Sequence, residues 1–156
     1  MTNLLEIRDL WIEGRSGDDW HKIVKGVNLD LARGEVLGLI GESGAGKSTI
    51  GLSAMAFGRG GVRLTGGEIV LNGRDIRTMG AAGLRALRGR EVTYVAQSAA
   101  ASFNPAKQIM EQVIESSLSH GLMTKPEAEA RAVALFRKLG LPNPESIGKR
   151  YPHQVS

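Results

Sequence analysis

The sequence predicts an α/β fold: a β-rich opening with one strand–loop–helix unit, followed by a helical closing segment. Three patterns point there. Apolar and polar residues alternate near the start. A short apolar run at 35–40 leads through a glycine-rich stretch into a helical pattern. Beyond residue 104, apolar residues recur at helical spacing.

In chain order, Leu5 and Ile7 alternate with Glu6 and Arg8, the pattern of a half-buried strand. Residues 13–19, with Gly14, Ser16, Gly17 and two aspartates, read as a loop. Val27, Leu29 and Leu31 alternate with Asn28 and Asp30 and predict a second strand. The run at 35–40 predicts a strand buried on both faces, and 47–57 a helix. Residues 58–67 are glycine-rich and interrupt the pattern; 68–71 is a strand, and Asn72-Gly73 a turn. Residues 81–87 predict a short helix, and 92–96 a second fully buried strand ending at Gln97.

The character then changes. Asn104-Pro105 reads as a helix cap followed by proline at the first helical position. Ile109, Met110, Val113, Ile114 and Leu118 follow helical spacing, with Gly121 as the stop. Thr124 and Glu127, around Pro126, have the spacing of a capping box. Val133, Phe136 and Leu139 share one face of the next helix, which ends at Gly140.

The 156 residues suffice for one domain with a sizeable core. The net charge of +4 is spread among acidic residues. Arg85, Arg88 and Arg90, the nearest approach to a basic cluster, read as a solvated helix face, so no nucleic-acid partner is expected. The absence of cysteine excludes disulfides and thiolate metal sites. The first residues lack a charged-then-apolar signal pattern, and no apolar run approaches the ~18 residues of a membrane helix. Any membrane contact is expected to pass through a partner.

The most informative segment is Gly41-Glu42-Ser43-Gly44-Ala45-Gly46-Lys47-Ser48. Its glycines permit backbone angles that side chains forbid and clear space for close approach. Successive amides of Gly44, Ala45, Gly46 and Lys47 can then point inward at phosphate oxygens, with the start of a helix behind them. Lys47 has the reach for the β- and γ-phosphates of ATP, the Ser48 hydroxyl for Mg²⁺, and Thr49 for the α-phosphate.

With this loop the chain resembles the ATP-binding subunits of ABC transporters, where the segment is the Walker A motif. The Glu42-Ser43-Gly44 filling is similar to importers of oligopeptides, dipeptides and nickel. Val95-Ala96-Gln97 followed by Phe103-Asn104-Pro105 resembles that group's Q-loop, and Tyr151-Pro152-His153-Gln154-Val155-Ser156 the lead-in to the signature motif, with valine in place of leucine. The resemblance runs the length of the chain.

It implies a P-loop core of ABC type (about 35–60 and 90–97), an antiparallel β-subdomain (about 1–34 and 62–78) and the beginning of a helical subdomain (104–156). It implies ATP and Mg²⁺ as ligands, held by Gly41, Ser43, Gly44, Ala45, Gly46, Lys47, Ser48 and Thr49, with Gln97 sensing Mg²⁺ and the attacking water. Ser156 would serve the nucleotide of a second ATP-binding subunit, identical or different. Membrane permease subunits would dock on the surface from Gln97 to Leu139, a solute-binding protein would act indirectly, and the chain would lie at the cytoplasmic face of the inner membrane. The family stacks adenine on an aromatic ring near the position of Gly14; Trp11 and Trp20 flank it, and Trp20 either stacks on the base or packs.

The Walker B strand, the catalytic glutamate and the switch histidine are not found in these residues, so the chain is expected to be part of a longer protein and unable to hydrolyse ATP by itself. Glu91, Glu111 and Glu115 read as surface charges. Two alternatives stay open: a non-catalytic nucleotide-binding module and, with less in its favour, another P-loop kinase or GTPase.

Overall fold

The computed structural model describes residues 3–98 and 102–155. It divides into two compact units, Met1–Thr93 and Tyr94–Ser156.

The first unit is built on a four-stranded antiparallel sheet in the order β2-β1-β3-β4. Its strands are β1 (Asn3–Ser16), β2 (Asp19–Ala32), β3 (Val62–Leu71) and the short β4 (Arg74–Asp75). β1 and β2 are longer than their alternating cores predict. The loop expected at 13–19 is reduced to Gly17-Asp18, with Gly17 at a φ of +62°. Polar residues carry the strands this far through cross-strand pairs: Glu13 faces Lys22 and accepts from Arg63 of β3 at 2.7 Å. β3 likewise begins inside the glycine-rich stretch 58–67. The turn at Asn72-Gly73 is as expected, with both residues at positive φ, as a two-residue hairpin of type I′ requires.

One irregularity organises the sheet. The buried residues of β1 are Leu5 and Ile7, then Leu10 and Ile12, so the alternation slips by one residue. The extra residue is accommodated at Asp9, whose φ is +45°, and the register shifts there against both neighbours. The bulge keeps all four apolar side chains on one face. There they join Val24, Ile69, Leu71, Ile76 and Leu87 in the core of the unit. Helix α1 (Lys47–Ser53) packs on this core through Ile50, and helix α2 (Ala81–Leu87) closes it through Leu84 and Leu87. α1 stops four residues short of the expected end, in a turn where Ala56 has a φ of +50°.

Two expected strands do not form. Residues 35–40 and 92–96 pair with no strand among the described residues, apart from an isolated bridge between Arg88 and Val92. Val36, Ile40 and Val95 are 95%, 99% and 90% exposed. An apolar run marks a segment suited to burial in a sheet, but a strand also needs a neighbour for its amides and carbonyls.

The second unit packs α3 (Ile109–Ser119), α4 (Lys125–Lys138) and the single turn α5 (Pro144–Ile147) around Ile109, Ile114, Ala128, Ala132, Phe136 and Ile147. The capping box stands: the Glu127 carboxylate accepts from the Thr124 amide at 2.8 Å and from its hydroxyl at 2.7 Å. Gly121 and Gly140 end their helices at positive φ. Asn104, expected as a helix cap, instead accepts from the Ala106 amide at 2.9 Å in a local turn, and α3 starts only at Ile109. Gln112 holds that turn from the helix, exchanging hydrogen bonds with the Asn104 amide (2.7 Å) and carbonyl (3.0 Å).

The buried face of α4 is Ala128, Ala132 and Phe136; Leu139, expected on it, is 72% exposed because the helix has ended before its side chain can turn inward. Truncating Phe136 to alanine should therefore cost ~3–4 kcal/mol in urea unfolding, as for other buried aromatics. Leu139→Ala should stay within about 0.5 kcal/mol.

Three carboxylates give the fold an acid limit. Arg74 and Asn72 hold Glu91 below the usual glutamate value of 4.5 by hydrogen bonding. Hydrogen bonds from Thr124 lower Glu127, and the Arg137 guanidinium lowers Glu145. A carboxylate lowered in the folded state stabilises the protein above its unfolded value and loses that contribution as pH falls through the folded value. The melting temperature should hold steady down to about pH 5 and fall below 4.5. A melting temperature that rises below that pH would contradict the assignment.

Candidate functional site

The glycine-rich loop connects residue 40 to the first turn of α1. Gly44 and Gly46 both have a φ of +86°, a conformation that strains any other residue, and Gly46 is the cap of α1. A side chain at Gly46 would meet the Ile23 carbonyl and the Val24 side chain, each at 3.3 Å, so the base of the loop rests directly on β2. The Ala45 amide donates to the Glu42 carbonyl at 3.2 Å and the Ile50 amide to the Gly46 carbonyl at 2.9 Å, which joins loop to helix.

Lys47 folds over the loop. Its ammonium donates to the carbonyls of Gly41 at 2.7 Å and Glu42 at 2.5 Å. Gly41, Ser43, Gly44, Ala45 and Ser48 are exposed, and Thr49 is half-buried beside Ser48. The structure thus gathers 41–49 into one site, with a flexible cation at the mouth of a loop of glycines in left-handed conformations. This donor set suits phosphate oxygens. Behind Ser48 and Thr49, Phe57, Gly58 and Arg59 line a small cleft of about 70 Å³.

Trp20 lies on β2 three residues before Ile23, roughly 10 Å along the strand from the support of the loop. The residue is 37% exposed, and its ring carries the Arg63 guanidinium 4.0 Å from its centroid. Trp11 is committed elsewhere: its indole donates to Asp9 at 2.8 Å, and Lys22 lies over its ring. Gln97 is exposed and belongs to the second unit. Ser156 lies outside the described residues. The segment leading to it forms a short 3₁₀ turn, Pro152–Gln154, in which the Gln154 side chain accepts from the Tyr151 amide at 2.9 Å and Val155 packs against the helical core.

The glutamates occupy the surface, as expected. Glu91 is tied to Arg74 and Asn72, and Glu111 and Glu115 are exposed on α3. The arginine cluster is corrected at one member. Arg88 is half-buried rather than on a solvated helix face, donating to the carbonyls of Met55 at 3.0 Å and Ala56 at 2.9 Å.

Known proteins extend this picture. The chain is 32% identical to the oligopeptide transport ATP-binding protein OppD of Bacillus subtilis over 164 residues, covering 100% of this chain and 44% of that protein. With AppD of the same organism, also an oligopeptide transport ATP-binding protein, identity is 35% over 157 residues, covering 100% of this chain and 48% of that one. It thus spans about half the length of these relatives. The fold matches the dimeric structure of MJ0796, a bacterial ABC transporter cassette, with a TM-score of 0.80 at 21% identity, over 97% of this chain and 63% of that one. A post-hydrolysis dimer of the same cassette bound to ADP and Pi gives 0.77 at 21% identity, with the same coverage. The antiparallel sheet and helices described above are a portion of that cassette fold. The sequence profile for the ABC transporter matches residues 24–156, and the chain belongs to that family.

Proposed function

We propose that this chain binds Mg·ATP through residues 41–49 and forms the phosphate-holding part of an ATP-binding subunit that energises import of peptides or a related solute. The observation that carries the reading is the loop: Gly44 and Gly46 at positive φ, seated on β2, with the Lys47 ammonium over its mouth. The amides of Gly44, Gly46 and Lys47 would surround the phosphates, joined by that of Ala45 once it leaves the Glu42 carbonyl, with Gly41 and Ser43 shaping the approach. Lys47 would leave the carbonyls of Gly41 and Glu42 for the β- and γ-oxygens. Ser48 would hold Mg²⁺, and Thr49 would donate to the α-phosphate. The metal supplies neutralisation of phosphate charge; every other contact here comes from the chain.

In the same reading Trp20 contacts adenine, either on the ring face opposite Arg63 or after that arginine moves aside. Gln97 senses Mg²⁺ and water, and Ser156 serves the nucleotide of a second ATP-binding subunit. Permease subunits would dock along 97–139, placing the chain peripherally at the cytoplasmic side of a membrane. No helix among the described residues is long and apolar enough to cross one itself. The apolar runs that hold Val36, Ile40 and Val95 fit the assignment of 35–60 and 90–97 to a nucleotide-binding core. The peptide assignment rests on the names of the relatives.

A second reading is a nucleotide-binding module without turnover. The state of Glu91 favours it, because that carboxylate is already engaged by Arg74 and Asn72. Titration with Mg·ATP, followed by a phosphate-release assay, tests both. Binding is expected without release; absence of binding would overturn the first reading, and steady release the second.

A further inference from the structure

The short helix behind the proposed phosphate loop is held from its far end by a residue outside the loop, Arg88. We infer that Arg88 is a positioning residue for the phosphate loop, an inference that rests on the proposed role of residues 41–49.

α1 has seven residues, so it is only about 10 Å long. A displacement at one end is therefore felt at the other. At its start, Gly46 sits against Ile23 and Val24. At its end the chain turns sharply through Ala56 at a φ of +50°, with the Ala56 amide donating to the Ser53 carbonyl at 2.7 Å. The Arg88 guanidinium donates to the two carbonyls of this turn, from Nε to Met55 and from a terminal nitrogen to Ala56. It also lies 5.5 Å from the centroid of the Phe57 ring.

A cation at the C-terminal end of a helix is favourable, and a charged donor makes stronger bonds than a neutral one. The planar fork fixes the angle between two carbonyls, which a single point charge does not. Arg88 itself stands on firm ground. Its amide donates to the Leu84 carbonyl at 3.0 Å at the end of α2, and the preceding Leu87 is 1% exposed in the core. The helix that presents Lys47, Ser48 and Thr49 is thus clamped between β2 at its start and Arg88 at its end. Removal of the guanidinium leaves a strained turn to hold that end, and a small tilt moves Lys47 relative to Gly41.

The test measures Kd for Mg·ATP and, separately, the melting temperature, for the wild-type chain, Arg88→Ala, Arg88→Lys and Lys47→Ala, with binding read well below every melting point. Arg88→Ala should weaken binding by about three- to thirty-fold, the range for residues that act at a distance. Arg88→Lys should recover part of the loss, because one donor is restored. A merely structural arginine would lower the melting temperature and leave Kd of the folded protein unchanged, which would overturn the inference. Should Arg88→Ala fail to fold, Arg88→Lys and Phe57→Leu decide instead: weakened binding in both supports the inference, and wild-type affinity in both refutes it. If the wild-type chain binds no nucleotide, the reading of the loop fails and this inference with it. If wild type binds, Lys47→Ala does not and the Arg88 variants match wild type, the inference alone fails.

Discussion

Lys47→Ala is expected to abolish measurable Mg·ATP binding while leaving the melting temperature nearly unchanged. The two halves of that expectation come from the same geometry. The Lys47 ammonium donates to the carbonyls of Gly41 and Glu42, both exposed loop residues, so little of the core depends on it. Phosphate oxygens carry far more charge than those carbonyls, and a bound phosphate would draw the ammonium across. A hydrogen bond from a charged donor contributes roughly 1.5–3 kcal/mol, which is about 10- to 100-fold in affinity for one lost contact. Lys47 would make two, to the β- and γ-phosphates, and so its loss should push binding out of the usual range of a titration. Lys47→Arg offers an internal control. It keeps the charge but replaces a compact ammonium with a broad planar fork, and should bind weakly rather than not at all. Calorimetry or a fluorescent ATP analogue reads all three proteins. Equal affinity in wild type and Lys47→Ala would remove phosphate binding from this loop.

The glycine-rich loop at 41–48 was legible as a loop because its signals are local. Glycine at fixed positions and a lysine at the start of a helix need no distant partner to be recognised. The same holds for Thr124 with Glu127, for Asn72-Gly73 and for the helix stops at Gly121 and Gly140, all of which stand where the sequence puts them. What the sequence hides is pairing. The polar ends of β1 and β2 look like a loop until Glu13 finds Arg63, fifty residues away. The bulge at Asp9 is written as a slip from Leu5 and Ile7 to Leu10 and Ile12, but its meaning appears only once two neighbouring strands shift register around it. Residues 35–40 and 92–96 have the composition of buried strands and, the single bridge at Val92 aside, no neighbouring strand among the described residues. Arg88 reads as one of three surface arginines because its carbonyl partners lie 33 and 32 residues earlier in the chain.

The bulge also identifies the position where a single methyl group should do most damage to stability. Gly67 of β3 lies opposite it, and a Cβ placed there would stand 2.3 Å from the Asp9 carbonyl oxygen and 2.4 Å from that of Arg8. Both obstacles are backbone atoms, so no rotamer change relieves the clash. The conformation adds to it, since Gly67 has a φ of +86°. Its carbonyl also accepts from the Arg77 side chain, so a shift of β3 away from β1 would disturb a second contact. Left-handed strain alone costs about 1–3 kcal/mol, and separation of two central strands brings the expected loss for Gly67→Ala to about 3 kcal/mol or more. For a unit of this size that corresponds to a fall of roughly 12 °C or more in melting temperature. Gly73→Ala separates the two causes, because Gly73 has a similar φ of +75° but open space where a Cβ would go. It should cost only about 1 kcal/mol, the strain without the clash. Equal losses at the two glycines would mean that strain accounts for both and that β1 and β3 can move apart at the bulge. A much larger loss at Gly67 would identify the close approach of these strands as the tightest constraint in the sheet on which the loop 41–49 rests.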